Sequence, residues 1–313
     1  MSTLIDGSEA SLRKFLHTLP GVDKVGADQR AATLATRSIK TSSKSWAIDM
    51  AIQMVDLTTL EGADTEGKVR ALCAKAVHPD PRDFSVPSVG AVCVYNDLVR
   101  IARENLDLNG GSHIPVAAVT TAFPSGRASL KVKLQDTQDA LTDGATEIDM
   151  VIDRGAFLSG KLGLVFDEIK AVKEVCVNRA HLKVILETGE LVTYDNVRKA
   201  SFIAMLAGAD FIKTSTGKVS PAATPPVVLV MLEAVRDYYL QSGIHIGVKA
   251  AGGIRTTKDA IKLLVLVNEI AGPEWLNPQL FRIGASGLLN DLLLQRMKLA
   301  TGYYSSSNYV TLD

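Results

Sequence analysis

Two lysines stand where lysine is costly. The run FIKTSTG (211–217) is apolar and β-prone until Lys213 interrupts it, and IGVKAAGG (246–253) is interrupted in the same way by Lys249. An ammonium carried into an apolar strand loses its hydration, and the usual outcomes are a buried carboxylate partner or loss of the proton. A lysine that loses its proton is an amine nucleophile toward carbonyl carbon. A lysine that keeps it is half of a structural ion pair, and each residue taken singly reads that way first. If the two runs are neighbouring strands, however, each ammonium disfavours charge on the other, and one is pushed toward the neutral form.

Carboxylates that could serve these lysines lie in EIDMVIDR (147–154). Glu147, Asp149 and Asp153 fall on alternate positions, and alternate side chains of a strand share a face. Turned toward an interior, Asp149 could pair with the lysines and move protons. Turned toward packing helices, the same residues would make structural salt bridges. LKVILETG (182–189) offers Lys183 and Glu187 to the same ionic set. Asp56, Thr58 and Thr59 in DLTTL could hydrogen-bond a polar substrate or cap the turn that follows.

Three turns have the composition of anion sites. TSTGK (214–218) supplies Gly217 and Lys218, AGGIR (251–255) supplies Gly252, Gly253 and Arg255, and GASG (284–287) supplies Gly284 and Ser286 before a helix start. Glycine lets backbone N–H groups approach an anion closely, and a helix N-terminus favours negative charge. One such turn is weak support for a phosphate. Three, each following an apolar run near the end of the chain, point to a phosphorylated ligand.

These residues need a frame that brings strand ends together. Eight short apolar runs (54–60, 88–95, 115–123, 147–154, 182–189, 211–217, 246–253 and 281–286) alternate with helical patterns such as 65–77, 164–177, 194–208 and 224–243. Near-continuous apolar runs fit strands buried on both faces, as in a parallel sheet. Gly208 and Gly243 sit where helix C-terminal caps belong. Eight strand–helix units in this length predict a (β/α)8 barrel, whose catalytic groups lie at the C-terminal ends of the strands. A doubly wound open sheet is the alternative, but its usual Gly-rich turn after the first strand is absent. The expected organisation is an N-terminal helical extension (1–45) packing on the barrel or capping its lower end, the barrel itself (46–300), and a polar, mobile tail (301–313).

Composition excludes several other classes. Lys plus Arg and Asp plus Glu both number 34, so no global field draws the protein to nucleic acid or a membrane surface. Cys73, Cys93 and Cys176 have no CxxC spacing, which argues against a disulfide framework or structural zinc. Cys93 reads as core. His78, His113, His181 and His245 are scattered near loops and read as surface residues. There is no secretory signal pattern and no apolar run of membrane-spanning length, so a cytoplasmic location is expected. No metal or cofactor is expected.

DLTTL, EIDMVID, LKVILETGEL, DFIKTSTGK, GVKAAGGIRT and FRIGAS together resemble the deoxyribose-phosphate aldolase family, in order, from about residue 50 to residue 295. The resemblance implies a TIM barrel and metal-independent Schiff-base cleavage of 2-deoxy-D-ribose 5-phosphate. It implies Lys213 as the Schiff-base lysine, Lys249 as the second lysine that depresses its pKa, and Asp149 as proton relay. Phosphate binding would fall to Gly217, Lys218, Gly252, Gly253, Gly284 and Ser286, with Arg255 assisting. Lys183 would lie near the relay, and Thr58 and Cys93 would line the pocket. A homodimer is also implied. Ala250 and Gly287 stand where bacterial members commonly carry proline and serine. The long N-terminus is similar to eukaryotic members. Tyr303, Tyr304 and Tyr309 are the tail's candidates for a tyrosine that reaches the active site. The rival functions are another phosphosugar enzyme on this barrel and a non-catalytic barrel scaffold.

Overall fold

The computed structural model describes residues 4–310. Eight strands form a closed, all-parallel barrel in sequence order: β1 Val55–Thr58, β2 Ala91–Tyr95, β3 Val116–Thr120, β4 Glu147–Val151, β5 His181–Ile185, β6 Phe211–Lys213, β7 Gly247–Ala251 and β8 Phe281–Ala285. Seven fall within the apolar runs, and β5 begins one residue before its run, at His181. The surrounding helices are α1 Glu9–Thr18, α2 Lys24–Leu34, α3 Thr41–Met54, α4 Glu66–Val77, α5 Val99–Leu108, α6 Leu130–Thr142, α7 Arg154–Leu158, α8 Leu162–Cys176, α9 Tyr194–Leu206, α10 Pro225–Ser242, α11 Thr257–Ile270 and α12 Leu288–Thr301.

Local chemistry sets the helix ends. Thr65, Thr193 and Thr256 cap α4, α9 and α11 by accepting backbone N–H groups of the first turn. Pro225 and Pro226 open α10, where a missing N–H costs nothing. Gly243 closes it with φ +70°, and Gly208 follows α9 with φ +99°. The helices bury their apolar stripes against the outward-facing valines, isoleucines and leucines of the strands, giving one continuous core.

The N-terminal residues add helices to the outside of this ring. α1 packs on α8 and α9, and α2 on α10 and α11. α3 lies against α11 and α12 and runs directly into β1. At the other end of the chain, the Tyr309 carbonyl accepts from Arg82, in the α4–β2 connection at the foot of the barrel. The Lys298 ammonium stands 3.4 Å over the Tyr304 ring. Tyr303, Tyr304 and Tyr309 are all exposed, and none lines the cavity at the catalytic end.

Register places the chemistry. Lys213 pairs with Lys249 across β6–β7, Asp149 with Lys183 across β4–β5, and Lys249 with Arg282 across β7–β8. Partners in register share a face, so these residues enter the barrel interior together. At the foot, the Phe211 ring covers Gly247: a Cβ there would lie 2.2 Å from a ring carbon. β2 and β3 contribute only small or apolar side chains to the interior at the upper end. Cys93, Ala117 and Val119 form a separate patch with Leu60, against which Tyr95 and Phe123 pack.

Candidate active site

The centre of the barrel is ionic, where barrels of this class are usually filled by branched apolar residues. Asp149 on β4 is the hub. Its Oδ2 accepts from Lys213 Nζ at 2.7 Å and from Lys249 Nζ at 2.8 Å, and its Oδ1 accepts from Lys183 Nζ at 3.1 Å. Lys249 also pairs with Asp56 Oδ2 at 2.5 Å. Arg282 donates from Nη1 to Asp56 Oδ1 at 2.7 Å and from Nη2 to Glu147 Oε1 at 3.1 Å. The circuit closes where Lys183 donates to Glu147 Oε2. All seven side chains are buried.

Burial of such a set is expensive unless each charge is paired, and the pairing is unequal. Lys213 has a single carboxylate partner; Lys249 has two. The consequence is opposite pKa shifts on neighbouring lysines. Burial pushes Lys213 below the ordinary lysine value, and Lys249 pushes it the same way against the pull of Asp149. Burial also acts against charge on Lys249, but Asp149 and Asp56 outweigh it and hold that ammonium well above the ordinary value. Asp149 is itself desolvated, yet Lys183, Lys213 and Lys249 keep it well below the usual carboxylate range. Burial raises the Cys93 thiol, which keeps it neutral beside these charges.

Above the network opens a cavity of about 590 Å³. Of the network's four bases, only Lys213 lines it. The rim is made by the turns after β6, β7 and β8: Gly217 and Lys218, Gly252, Gly253 and Arg255, and Ser286 and Gly287, with Thr58 opposite. Gly217, Gly252 and Gly253 all have φ near +80°, a region favouring glycine. Gly252 is also a contact point, since a Cβ there would lie 2.7 Å from Ala222 Cβ and 3.2 Å from Gly217 Cα. Two turns therefore touch and present their backbone to the same space. The first turn of α12 points its free N–H groups at the rim from Gly287 onward.

This combination is an amine of lowered pKa at the floor of a cavity with an anion-type rim. The arrangement can form an imine with a carbonyl while holding an anionic group at the far end. The sequence profile of the DeoC/LacD family aldolases matches residues 50–292. The chain belongs to the DeoC/LacD aldolase family. Among its relatives is the deoxyribose-phosphate aldolase of Homo sapiens, 46% identical over 280 residues and covering 87% of each chain. The Bos taurus deoxyribose-phosphate aldolase is 44% identical over 294 residues, covering 91% of this chain and 92% of its own. A solved structure from Toxoplasma gondii ME49, provisionally named a deoxyribose-phosphate aldolase, superposes with a TM-score of 0.72 at 26% identity. It covers 85% of this chain and 98% of its own.

The candidate residues divide into three groups. Lys213, Lys249, Asp149 and Lys183 meet in the ionic network. Thr58, Gly217, Lys218, Gly252, Gly253, Arg255, Gly284 and Ser286 line the cavity. Gly284 has a second use, because a Cβ there would come within 3.1 Å of Lys249 Cε. Cys93 is fully buried in the apolar patch below the rim. Lys218 is not free in this state, pairing with Glu61 at 2.8 Å.

Two expectations from strand alternation are corrected. Asp153 does not share the face of Glu147 and Asp149: β4 ends at Val151, and Asp153 caps α7 by accepting from Ala156 N. Glu187 does not join the lysines. Its backbone turns left-handed at φ +54°, and its carboxylate accepts instead from the N–H and hydroxyl of Thr216, bracing the β6 turn from behind.

Two network members are not evident from the sequence. Asp56, whose context suits a substrate-side or capping residue, is instead an inward partner of Lys249 and Arg282. Arg282 carried the same signal as the lysines, a cation inside the apolar run FRIGAS. Among the described residues no cluster of His, Cys, Asp or Glu could hold a metal ion, and no helix is long and apolar enough to cross a membrane.

Proposed function

We propose that this chain cleaves 2-deoxy-D-ribose 5-phosphate into acetaldehyde and D-glyceraldehyde 3-phosphate through an imine on Lys213. The observation that carries the reading is that Lys213, alone among the buried bases, reaches the cavity and has its pKa lowered there. The names of the relatives and the glycine-rich rim support the phosphosugar as substrate.

Neutral Lys213 adds to C1 of the open-chain aldehyde, and the carbinolamine loses water to give an iminium. The C3 hydroxyl gives up its proton to Asp149, directly or through water, and the C2–C3 bond breaks as its electron pair moves into the iminium. Glyceraldehyde 3-phosphate departs with its C3 oxygen as the new carbonyl. The enamine left on Lys213 takes a proton at its terminal carbon, and water then releases acetaldehyde and the free amine. Lys249 remains an ammonium, holding Asp149 in place and keeping the resting amine of Lys213 neutral.

The rim would hold the phosphate through the backbone N–H groups of the three turns and α12, with Lys218, Arg255 and Ser286 at its edge. Binding at that remote end fixes the reacting carbons over Lys213. Leu60, the member of the apolar patch that lines the cavity, would meet the two-carbon end of the substrate. Borohydride added with deoxyribose 5-phosphate should trap an adduct that peptide mapping assigns to Lys213. An adduct elsewhere, or undiminished cleavage by Lys213→Ala, would refute the assignment.

A further inference from the structure

We infer that Arg282, which touches no part of the cavity, sets the protonation state of Lys213 by fixing the charge of the buried network. This rests on the reading of Lys213 as the amine nucleophile. The network contains three carboxylates, Asp56, Glu147 and Asp149, and four bases, Lys183, Lys213, Lys249 and Arg282. It is neutral only when one base gives up its proton. Arg282 is a guanidinium and cannot. Lys183 lies within 4.0 Å of all three carboxylates, and Lys249 within 2.8 Å of two. Lys213 has one partner, so it is the base that yields.

Arg282 acts on Asp149 by two routes. Through Asp56 it supports the carboxylate that holds Lys249; through Glu147 it supports the one that holds Lys183. Without its permanent charge the network would carry three carboxylates against two lysines, and the third proton would settle on Lys213. With all seven side chains buried, an excess charge is met by protonation rather than tolerated.

The other titratable groups around the network are paired or turned away: Glu187, buried at the end of β5, is held by the N–H and hydroxyl of Thr216. β2 brings the neutral thiol of Cys93 and, at its upper end, Tyr95, which packs on the apolar patch beside Phe123; β3 brings no titratable side chain. Below, Lys173, Arg179 and His181 line an open hollow with Arg282 and Glu147. Lys173 is paired with Asp210, and Arg179 and His181 are exposed to solvent. At the mouth, Lys218 is paired with Glu61 and Lys68 with Asp64, while Arg255 is exposed. None of these faces the network from a buried position.

Arg282 is thus a positioning residue for charge, and the count gives it a signature that a structural role lacks. The test is the pH dependence of cyanoborohydride trapping of acetaldehyde on Lys213, alongside kcat/KM against pH. Arg282→Met should move the alkaline-requiring limb to higher pH and cut trapping at neutral pH at least tenfold. Arg282→Lys should keep the parent profile. Glu147→Gln, which removes a negative charge, should move the limb the other way or leave it in place. Arg282→Met with Glu147→Gln restores neutrality and should bring the limb back toward the parent position. An Arg282→Met profile that superposes on the parent overturns the inference, as does a double variant as alkaline as the single one. If Arg282→Met does not fold, an alkaline shift in Glu147→Gln alone overturns it, and a parent or acid-shifted limb in Glu147→Gln with a parent profile in Arg282→Lys supports it. Failure to trap any adduct on Lys213 in the parent instead refutes the underlying reading.

Discussion

Gly252→Ala tests the phosphate rim without touching the chemistry. Gly252 has φ +82°, and its missing side chain is where the β6 and β7 turns meet. An alanine there costs about 1–2 kcal/mol in backbone conformation alone. Its Cβ would stand 2.7 Å from Ala222 Cβ and 3.2 Å from Gly217 Cα, whereas carbons rest about 3.5–4.0 Å apart. The turns must therefore separate by roughly 1 Å, enough to spoil one charge-assisted hydrogen bond of about 1.5–3 kcal/mol. That corresponds to a KM for deoxyribose 5-phosphate raised roughly 10- to 150-fold. Lys213 and its partners stand on strands that need not move, so turnover of unphosphorylated 2-deoxyribose should change by less than about twofold. The assay is acetaldehyde release from both sugars, with thermal melting to confirm folding. The reasoning fails if KM for the phosphorylated sugar is unchanged, or if both substrates lose activity equally in a folded protein.

Other expectations concern the network and the thiols. For Lys249→Leu, the two ammonium nitrogens share one Asp149 oxygen and so lie no more than about 5.5 Å apart. Their repulsion at an effective dielectric near 20 is about 3 kcal/mol, so the variant should hold roughly a hundredfold less neutral Lys213 at fixed pH, seen as an alkaline shift of the rate profile. An unshifted profile contradicts charge coupling. Asp56→Asn breaks a buried ionic contact and should lower stability by about 3–5 kcal/mol in urea melts; a loss under about 1 kcal/mol would show the pair to be dispensable. Asp149 and Asp56 have folded pKa values below the ordinary carboxylate value, so their stabilisation is present above about pH 4 and disappears as pH falls below it. Melting temperature should accordingly decline on that acid side, and a decline already complete at pH 5 would argue otherwise. Burial pushes Cys73 and Cys176 up to about 12; with Cys93 also raised, iodoacetamide at pH 8 should label no thiol in the native protein and all three after unfolding. Tyr303, Tyr304 and Tyr309 lie away from the cavity, and replacing all three by phenylalanine should leave kcat/KM within about twofold; a tenfold loss would place one of them in the reaction.

Much of this molecule is legible without its fold. Eight apolar runs separated by amphipathic stretches permit few architectures, because strands buried on both faces need helices on the outside. Lys213, Lys249 and Lys183 announce themselves as cations in apolar strands, and glycines at strand ends announce turns that an anion can approach. Those signals are local: desolvation cost and permitted backbone angles belong to the residue and its immediate neighbours.

Other features depended on register and closure. That Asp149, rather than another carboxylate, takes two lysines on one oxygen is decided by where β4, β6 and β7 fall relative to one another. Alternation alone kept Asp153 on the same face, but β4 stopped short and the residue capped a helix instead. Glu187 was one left-handed φ away from the network and braced Thr216. The sequence by itself determined which side chains could not rest unpaired in an apolar barrel. Only the tertiary structure decided who pairs with whom, since buried charges interact through space over a few ångströms that the chain spans in tens to hundreds of residues. From that pairing comes the inequality that matters: one carboxylate for Lys213, two for Lys249, and a guanidinium from β8 completing a set that is neutral when Lys213 has given up its proton.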